Sequence, residues 1–291
     1  MNAAVITTVA GRHGHLINQR AGLLAGYVVP DLHVVVAMDD PDVLWHASRV
    51  ELTTAFESVP TRQGRLPLAH ARNVGAGLAI ERGADVLIFL DVDCIPGPRL
   101  VERYLRCARS QEQRLLCGPV AYLPPAPSAG YRLTELSALA APHPLRPVPP
   151  ERGELPAGDP NLFWSLSFAL SKDCWLGLGG FCERYEGYGA EDTDFAQLAA
   201  QQAILPTWVG GAWAFHQYHD SQEPPAQHLQ DIIRNASIFH ERWGWWPMQG
   251  WLDQFQKLGL ACYDTSTDHW FATSVCDGST ATIEPAANQM T

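Results

Sequence analysis

This 291-residue chain is short of several things, and each shortage narrows what it can be. Its seven cysteines (Cys94, Cys107, Cys117, Cys174, Cys182, Cys262, Cys276) form no Cys-x-x-Cys pair and are odd in number. That pattern speaks against a disulfide framework or a structural zinc site and reads as reduced thiols. No apolar run is long enough to span a bilayer, so no integral membrane segment is expected. The start, Met1-Asn2-Ala3-Ala4-Val5-Ile6, carries no basic residue. Polar Gly11-Arg12-His13-Gly14-His15 follows too soon for a secretory leader. The expected location is cytoplasmic. Positive charge is scarce too: 20 Lys and Arg stand against 31 Asp and Glu, for a net charge of −11. This argues against nucleic acid or an anionic membrane as the main partner. A phosphate-bearing substrate would have to be met by local cations, a metal or backbone donors. No internal repeat is visible.

What is present is a core. The chain is 46% hydrophobic and 18% charged, the balance of a folded protein. Its first half alternates apolar runs with helical patterns. Ala4 to Val9, His33 to Met38 and Val86 to Leu90 read as strands. His15 to Gly26 and the alanine-rich stretch Pro67 to Arg82 read as helices, the second closed by Gly83. Strand and helix in alternation, with continuously apolar strands, predict an α/β fold around a mostly parallel sheet covered on both faces. Ligands of such sheets bind beyond the carboxyl ends of the strands, where Asp39, Asp40, Asp91 and Asp93 fall. Pro124 to Pro160 holds ten of the 22 prolines and reads as a long loop, with a short helix over Thr134 to Ala141. Further on, strands are expected over Phe163 to Leu170 and Trp208 to Phe215, and helices over Glu191 to Ala203 and His228 to Trp243. The organisation expected is a binding half over 1–123, a Pro-rich insertion over 124–160, a second half over 161–260, and a loosely ordered tail over 261–291.

Three clusters carry chemistry. Asp91-Val92-Asp93 closes the strand Val86 to Leu90. In a strand, residues two apart share a face. Two carboxylates there suit a hard divalent cation, Mg²⁺ or Mn²⁺, shared with phosphates. An acidic turn before Ile95-Pro96-Gly97-Pro98 is the competing reading. The second cluster is Gly187-Tyr188-Gly189-Ala190-Glu191-Asp192-Thr193-Asp194. Carboxylates at a helix start can serve as caps. The same position favours the ionised form that a general base needs. The third is His216-Gln217-Tyr218-His219-Asp220, followed by Glu223 and His228. His216, at a strand end, could complete a metal site begun by Asp93, whereas His228 reads as a surface histidine. The aromatic run Trp243-Gly244-Trp245-Trp246-Pro247, with Trp251, could shape a ligand pocket or, the favoured reading, anchor a C-terminal helix in the core.

Taken together, these segments resemble a known family. Asp91-Val92-Asp93 resembles the DxD motif of GT-A glycosyltransferases. Leu68-Ala69-His70-Ala71-Arg72-Asn73-Val74-Gly75 resembles the "ARN.G" segment that precedes it in family 2 enzymes. Leu178-Gly179-Gly180-Phe181 and Gly187 to Phe195 are similar to the "GGF…GWG.ED.D" block of the galactosyltransferase-type C-terminal region. The likeness runs from Ala4 to about Leu260, and its specificity lies in the order and spacing of the motifs. It implies a GT-A, Rossmann-like fold and a metal-dependent, inverting transfer of a sugar from a nucleotide diphosphate, UDP by expectation, to a hydroxyl of a carbohydrate or other acceptor. It further implies that Asp39 or Asp40 holds the nucleobase and that Arg72 lies near the nucleotide. Asp93 would ligate Mn²⁺ or Mg²⁺, with His216 as partner and His219 as fallback. Asp91 would face ribose or sugar. Asp192 would be the catalytic base, with Glu191 contacting a sugar, and Tyr188 would be an acceptor platform where the family often has tryptophan. The chain departs from the family where Cys182 replaces an acidic residue after Gly-Gly-Phe. It departs again where Thr7-Thr8-Val9-Ala10-Gly11-Arg12 replaces the usual first loop, so that Arg12 is the candidate for the diphosphate. Two other readings compete: a catalytically silent nucleotide-sugar binder, and a sugar nucleotidyltransferase. The second would want a Gly-rich, basic loop after the first strand, of which Gly11-Arg12-His13-Gly14 is a faint version.

Overall fold

The computed structural model of the chain describes residues 1–109 and 113–273. Its first part runs β1 (Ala3–Val9), α1 (His13–Leu24), β2 (Leu32–Met38), α2 (Val43–Ala47), β3 (Thr54–Val59), α3 (Leu68–Glu81) and β4 (Val86–Leu90). Then come β5 (Cys94–Pro96), α4 (Leu100–Ala108), β6 (Leu115–Cys117) and β7 (Val120–Tyr122). The Pro-rich stretch contributes only α5 (Leu136–Leu139), β8 (Ala141–Pro142) and β9 (Glu154–Leu155). The remainder is β10 (Ser167–Ser171), α6 (Lys172–Leu178), α7 (Glu191–Gln201), β11 (Pro206–Val209), β12 (Ala214–His216), α8 (Leu229–Trp243), α9 (Gln249–Lys257), β13 (Ala261–Asp264) and β14 (His269–Ala272).

The large sheet has the order β3-β2-β1-β4-β10-β6-β11-β9. β3, β2, β1 and β4 are mutually parallel, as are β6 and β11, while β10 runs against both its neighbours and β9 against β11. Every residue of β1, β2 and β4 is buried, because helices cover both faces. On one face the alanines of α3 (Ala69, Ala71, Ala76, Ala79) pack on Ile6, Val34 and Val36. On the other, Leu23 of α1 and Leu100 and Tyr104 of α4 pack on Val5, Val86 and Ile88. Gly75 lets α3 lie this close: a Cβ there would come within 2.5 Å of Ile6 Cγ2 and 3.1 Å of Val36 Cγ2. The predicted α/β fold with its mostly parallel central sheet is what the chain adopts.

Several expectations of detail differ from the structure. Trp208 to Phe215 is two strands in two sheets, β11 in the large one and β12 in a small sheet ordered β5-β12-β7-β8. The break is Gly210-Gly211: a Cβ on Gly210 would fall 1.8 Å from Pro150 O, and Gly211 has φ +80°. The strand expected from Phe163 begins only at Ser167, after left-handed Ser165 and Leu166. The tail expected to be loose from 261 is, through Thr273, a β13–β14 hairpin whose Trp270 packs with Ile232 and Phe255. Cys276 and the rest of the tail, 274–291, lie outside the described residues.

Candidate active site

Construction begins where β4 runs out. Asp91 and Asp93 do not share a strand face, because the chain turns at once: Cys94 N donates to Asp91 O at 2.8 Å. Gln19, fully buried on α1, grips the same carbonyl at 2.8 Å, while its Oε1 receives the Thr7 hydroxyl at 2.9 Å. The turn sends the two carboxylates apart. Asp91 meets the guanidinium of Arg72 at 3.2 Å. Asp93 points instead toward the small sheet and α1.

The β5–β12 pairing sets His216 opposite Cys94 and therefore beside Asp93. His216 Nε2 lies 3.6 Å from Asp93 Oδ1, and His219 Nε2 lies 3.7 Å from Oδ2. One ligating atom from each of the three residues falls within 4.8 Å of the others. The candidate histidines thus stand as a pair. Gln217 holds them in place: it is fully buried, its backbone N–H reaches Asp93 O at 2.7 Å, and its side chain spans Asn18 and the carbonyl of His15. Burial lowers the pKa of His216 despite the opposing pull of Asp93, which favours the neutral imidazole that binds metals. One carboxylate with two imidazoles fits Mn²⁺ better than Mg²⁺, which prefers oxygen alone. Arg12, in the left-handed turn between β1 and α1, forms an ion pair with Asp93 Oδ2.

The second cluster forms where α7 starts. Left-handed Gly189 and Ala190 deliver Glu191 and Asp192. Glu191, nearly buried, pairs with Arg72 at 2.9 Å. Arg72 is thereby locked between Asp91 and Glu191, tying the two acidic clusters together. Burial alone would depress its pKa, but Asp91 and Glu191 outweigh that and raise it. Asp192 sits deep in the fold yet keeps some contact with solvent, and among the described residues its side chain hydrogen-bonds Thr193, through the N–H (2.6 Å) and the hydroxyl (3.3 Å). Burial, and then the charge of Glu191, push its pKa up to about 7. Asp194 differs altogether. It has no exposed surface and receives the Tyr185 hydroxyl at 3.0 Å, Arg242 at 2.6 Å and the Trp243 indole at 2.7 Å.

Tyr188 projects from the loop before α7, 39% exposed, with its ring stacked on His228 at 4.6 Å and tilted against Trp251 at 5.8 Å. His228 is therefore a support for Tyr188 and not an isolated surface residue. Trp243, Trp246 and Trp251 all pack against the interior clusters, and Trp251 also lies beside Tyr188. The loop is fixed by Asn235 of α8, whose buried amide donates to the carbonyls of Glu186, Tyr188 and Gly189 at 3.0, 3.1 and 3.0 Å. Asn73 acts in a similar way earlier in the chain, clasping the backbone N–H and carbonyl of Phe181. It also bonds Glu183, so the acidic residue absent at Cys182 stands one position later, within 2.9 Å of His70. Of the nucleobase candidates, Asp40 accepts from Gly11 N and from His13 Nε2, bonds that hold its pKa low against partial burial. Asp39, exposed and left-handed, is turned to Thr61. Sequence reading missed Gln19, Asn73, Gln217 and Asn235, because uncharged amides acquire meaning only from the backbone they meet.

This architecture is the GT-A glycosyltransferase fold. Its likeness is to residues 1–349 of TarS from S. aureus (TM-score 0.54, 15% identity, 82% of this chain and 66% of that one) and to the mannosyltransferase PcManGT from Pyrobaculum calidifontis in complex with GDP-Man and Mn²⁺ (TM-score 0.54, 14% identity, 88% and 64%). TarS 1–349 in complex with UDP-GlcNAc also matches (TM-score 0.57, 11% identity, 88% and 78%). The chain spans about two thirds of the length of the first two structures. No family profile matches the sequence, and no curated protein does. Among the described residues, no helix is long and apolar enough to cross a membrane.

Proposed function

We propose that this protein is an inverting, metal-dependent glycosyltransferase that moves a sugar from a nucleotide diphosphate to a hydroxyl of a carbohydrate or other acceptor. The observation that carries the reading is the pair of constellations joined through Arg72: Asp93 with His216 and His219 on one side, Glu191 with Asp192 on the other. Asp93, His216 and His219 would hold Mn²⁺. The cation would supply neutralisation of the charge that grows on the leaving diphosphate. UDP is the expected donor nucleotide. The likeness to structures bound to UDP-GlcNAc and to GDP-Man makes a guanine nucleotide the second to try. Asp40 or Asp39 would address the base, and Asp91 the ribose or sugar.

Asp192 accepts the proton of the attacking acceptor hydroxyl. A base near pKa 7 is well matched to this role, being substantially ionised at neutral pH and still basic enough to take the proton. Attack assisted from the face opposite the leaving group gives inversion. Glu191, oriented by Arg72, contacts a sugar hydroxyl. Tyr188, backed by His228 and Trp251, offers an aromatic face to the acceptor ring. The buried thiols Cys94, Cys117 and Cys174 fit a reducing, cytoplasmic setting. The test is slow hydrolysis, with water standing in for the acceptor, across a panel of UDP- and GDP-sugars with Mn²⁺. Turnover of one donor, stopped by chelator, supports the reading. Failure of every donor to bind or turn over contradicts it.

A further inference from the structure

Arg12 is paired with the carboxylate proposed above to bind the metal. Its Nη1 is paired with Asp93 Oδ2, the oxygen that lies 3.7 Å from His219 Nε2, while Oδ1 lies 3.6 Å from His216 Nε2. A guanidinium and a divalent cation held on that carboxylate at close range repel each other, so each weakens the other's hold on it. The other arginine of the site is not free to respond: Arg72 is buried and committed to Asp91 and Glu191. Arg12 is free to respond. Its side chain is 39% exposed, and no side-chain cap bond ties it to the start of α1. Asp40, which follows β2 and bonds Gly11 next to Arg12, is already held by Gly11 N and His13. A displaced Arg12 therefore carries an unpaired positive charge into the cleft of a protein whose net charge is −11.

Resting on the glycosyltransferase reading above, we propose that Arg12 is a positioning residue that is handed from Asp93 to the diphosphate of the donor as the metal binds. It stands in for the cation until the metal arrives, is expelled by it, and then neutralises the nucleotide. Metal and nucleoside diphosphate consequently bind as a coupled pair, each raising the affinity for the other by the same factor. Arg12 makes the site weak for the metal alone and strong for the metal with its nucleotide.

The handover predicts effects of opposite sign from one substitution. Mn²⁺ binding followed by calorimetry or electron paramagnetic resonance, without nucleotide, should tighten by roughly three- to tenfold in Arg12→Gln, since the competing cation is gone. Binding of UDP or GDP at saturating Mn²⁺ should weaken in the same variant by about tenfold. Arg12→Lys, which keeps the charge, should stay near the parent in both, and melting temperatures should hardly move. Mn²⁺ affinity that is unchanged or weaker in Arg12→Gln overturns the competition. Unchanged nucleotide affinity overturns the handover. If the parent binds Mn²⁺ in neither condition and nucleotide binding is indifferent to chelator, the metal-dependent reading falls and takes this proposal with it. Mn²⁺ bound equally by parent and variant overturns the proposal alone.

Discussion

The end of β4 and the start of α7 each present a pair of aspartates two residues apart, and in both regions one member is tied up and the other left spare. At β4, Asp91 is absorbed by Arg72, while Asp93 is left among a partly exposed arginine and two imidazoles. At α7, Asp194 is absorbed by Tyr185, Arg242 and Trp243, while among the described residues Asp192 is bonded to its neighbour Thr193 alone. The contrast lies in what is done with the spare carboxylate. Asp93 is surrounded by positive or potentially positive groups. Asp192 is desolvated and faces the charge of Glu191, so protonation is favoured. One is prepared for a cation and the other for a proton. Residue type and spacing are the same, and partners decide the role.

Breaking the structural member of the α7 pair should have the largest effect on the fold. Asp194→Asn leaves Arg242 and two buried donors facing a neutral amide, and should cost about 3 kcal/mol or more, read as a loss of melting temperature. Asp192→Asn should instead raise the melting temperature at pH 8, because it removes a charge the fold disfavours.

At the β4 pair, Asp93→Ala should abolish the chelator-sensitive part of UDP or GDP binding. His216→Ala should weaken Mn²⁺ binding more than His219→Ala, by roughly tenfold or more against a smaller loss. His216 is anchored by its strand and 13% exposed, while His219 is 28% exposed. The reverse ranking would make His219 the principal ligand.

A smaller effect is expected at the loop that presents Tyr188. Asn235→Ala strips the carbonyls of Tyr188 and Gly189 of this donor and leaves that of Glu186 to Arg234, and should cost about 1–3 kcal/mol, with acceptor affinity falling alongside stability. Wild-type stability with unchanged acceptor use would show that the loop holds itself.

The pH dependence separates the two spare carboxylates further. Asp192 has a folded pKa near 7 against an ordinary value of 3.8, so between these limits the folded state binds more protons than the unfolded one. Stability contributed by this group is present below about pH 4 and is lost as pH rises through 7. Transfer should do the opposite and rise through the same range, as the base ionises. In Asp192→Asn that component of the stability slope should vanish, which urea titrations at pH 5 and pH 8 would show.

Much of this organisation is legible in the sequence where the signal is local. Continuously apolar β1, β2 and β4 announce a sheet covered on both faces, and the acidic strings mark strand and helix ends. The small sheet is not legible, because β5, β7 and β12 are three residues long and β8 two, too short for any period to show. Nor does spacing reveal that Asp91 and Asp93 diverge: that depends on a turn clamped by Gln19 from α1. Asp192 and Asp194 cannot be told apart along the chain either, since Tyr185, Arg242 and Trp243 come together only in the folded protein.

The central claim is that Asp192 is the base of a metal-dependent sugar transfer. The direct measurement takes the donor found by the hydrolysis screen and compares transfer and nucleotide binding in the parent and in Asp192→Asn. If Asp192 is the base, nucleotide and Mn²⁺ affinities stay within about threefold while transfer falls by roughly two to four orders of magnitude. The amide oxygen of Asn can accept from Thr193 as the carboxylate does, so a merely structural role predicts no loss. Transfer near the parent rate in Asp192→Asn would contradict the claim.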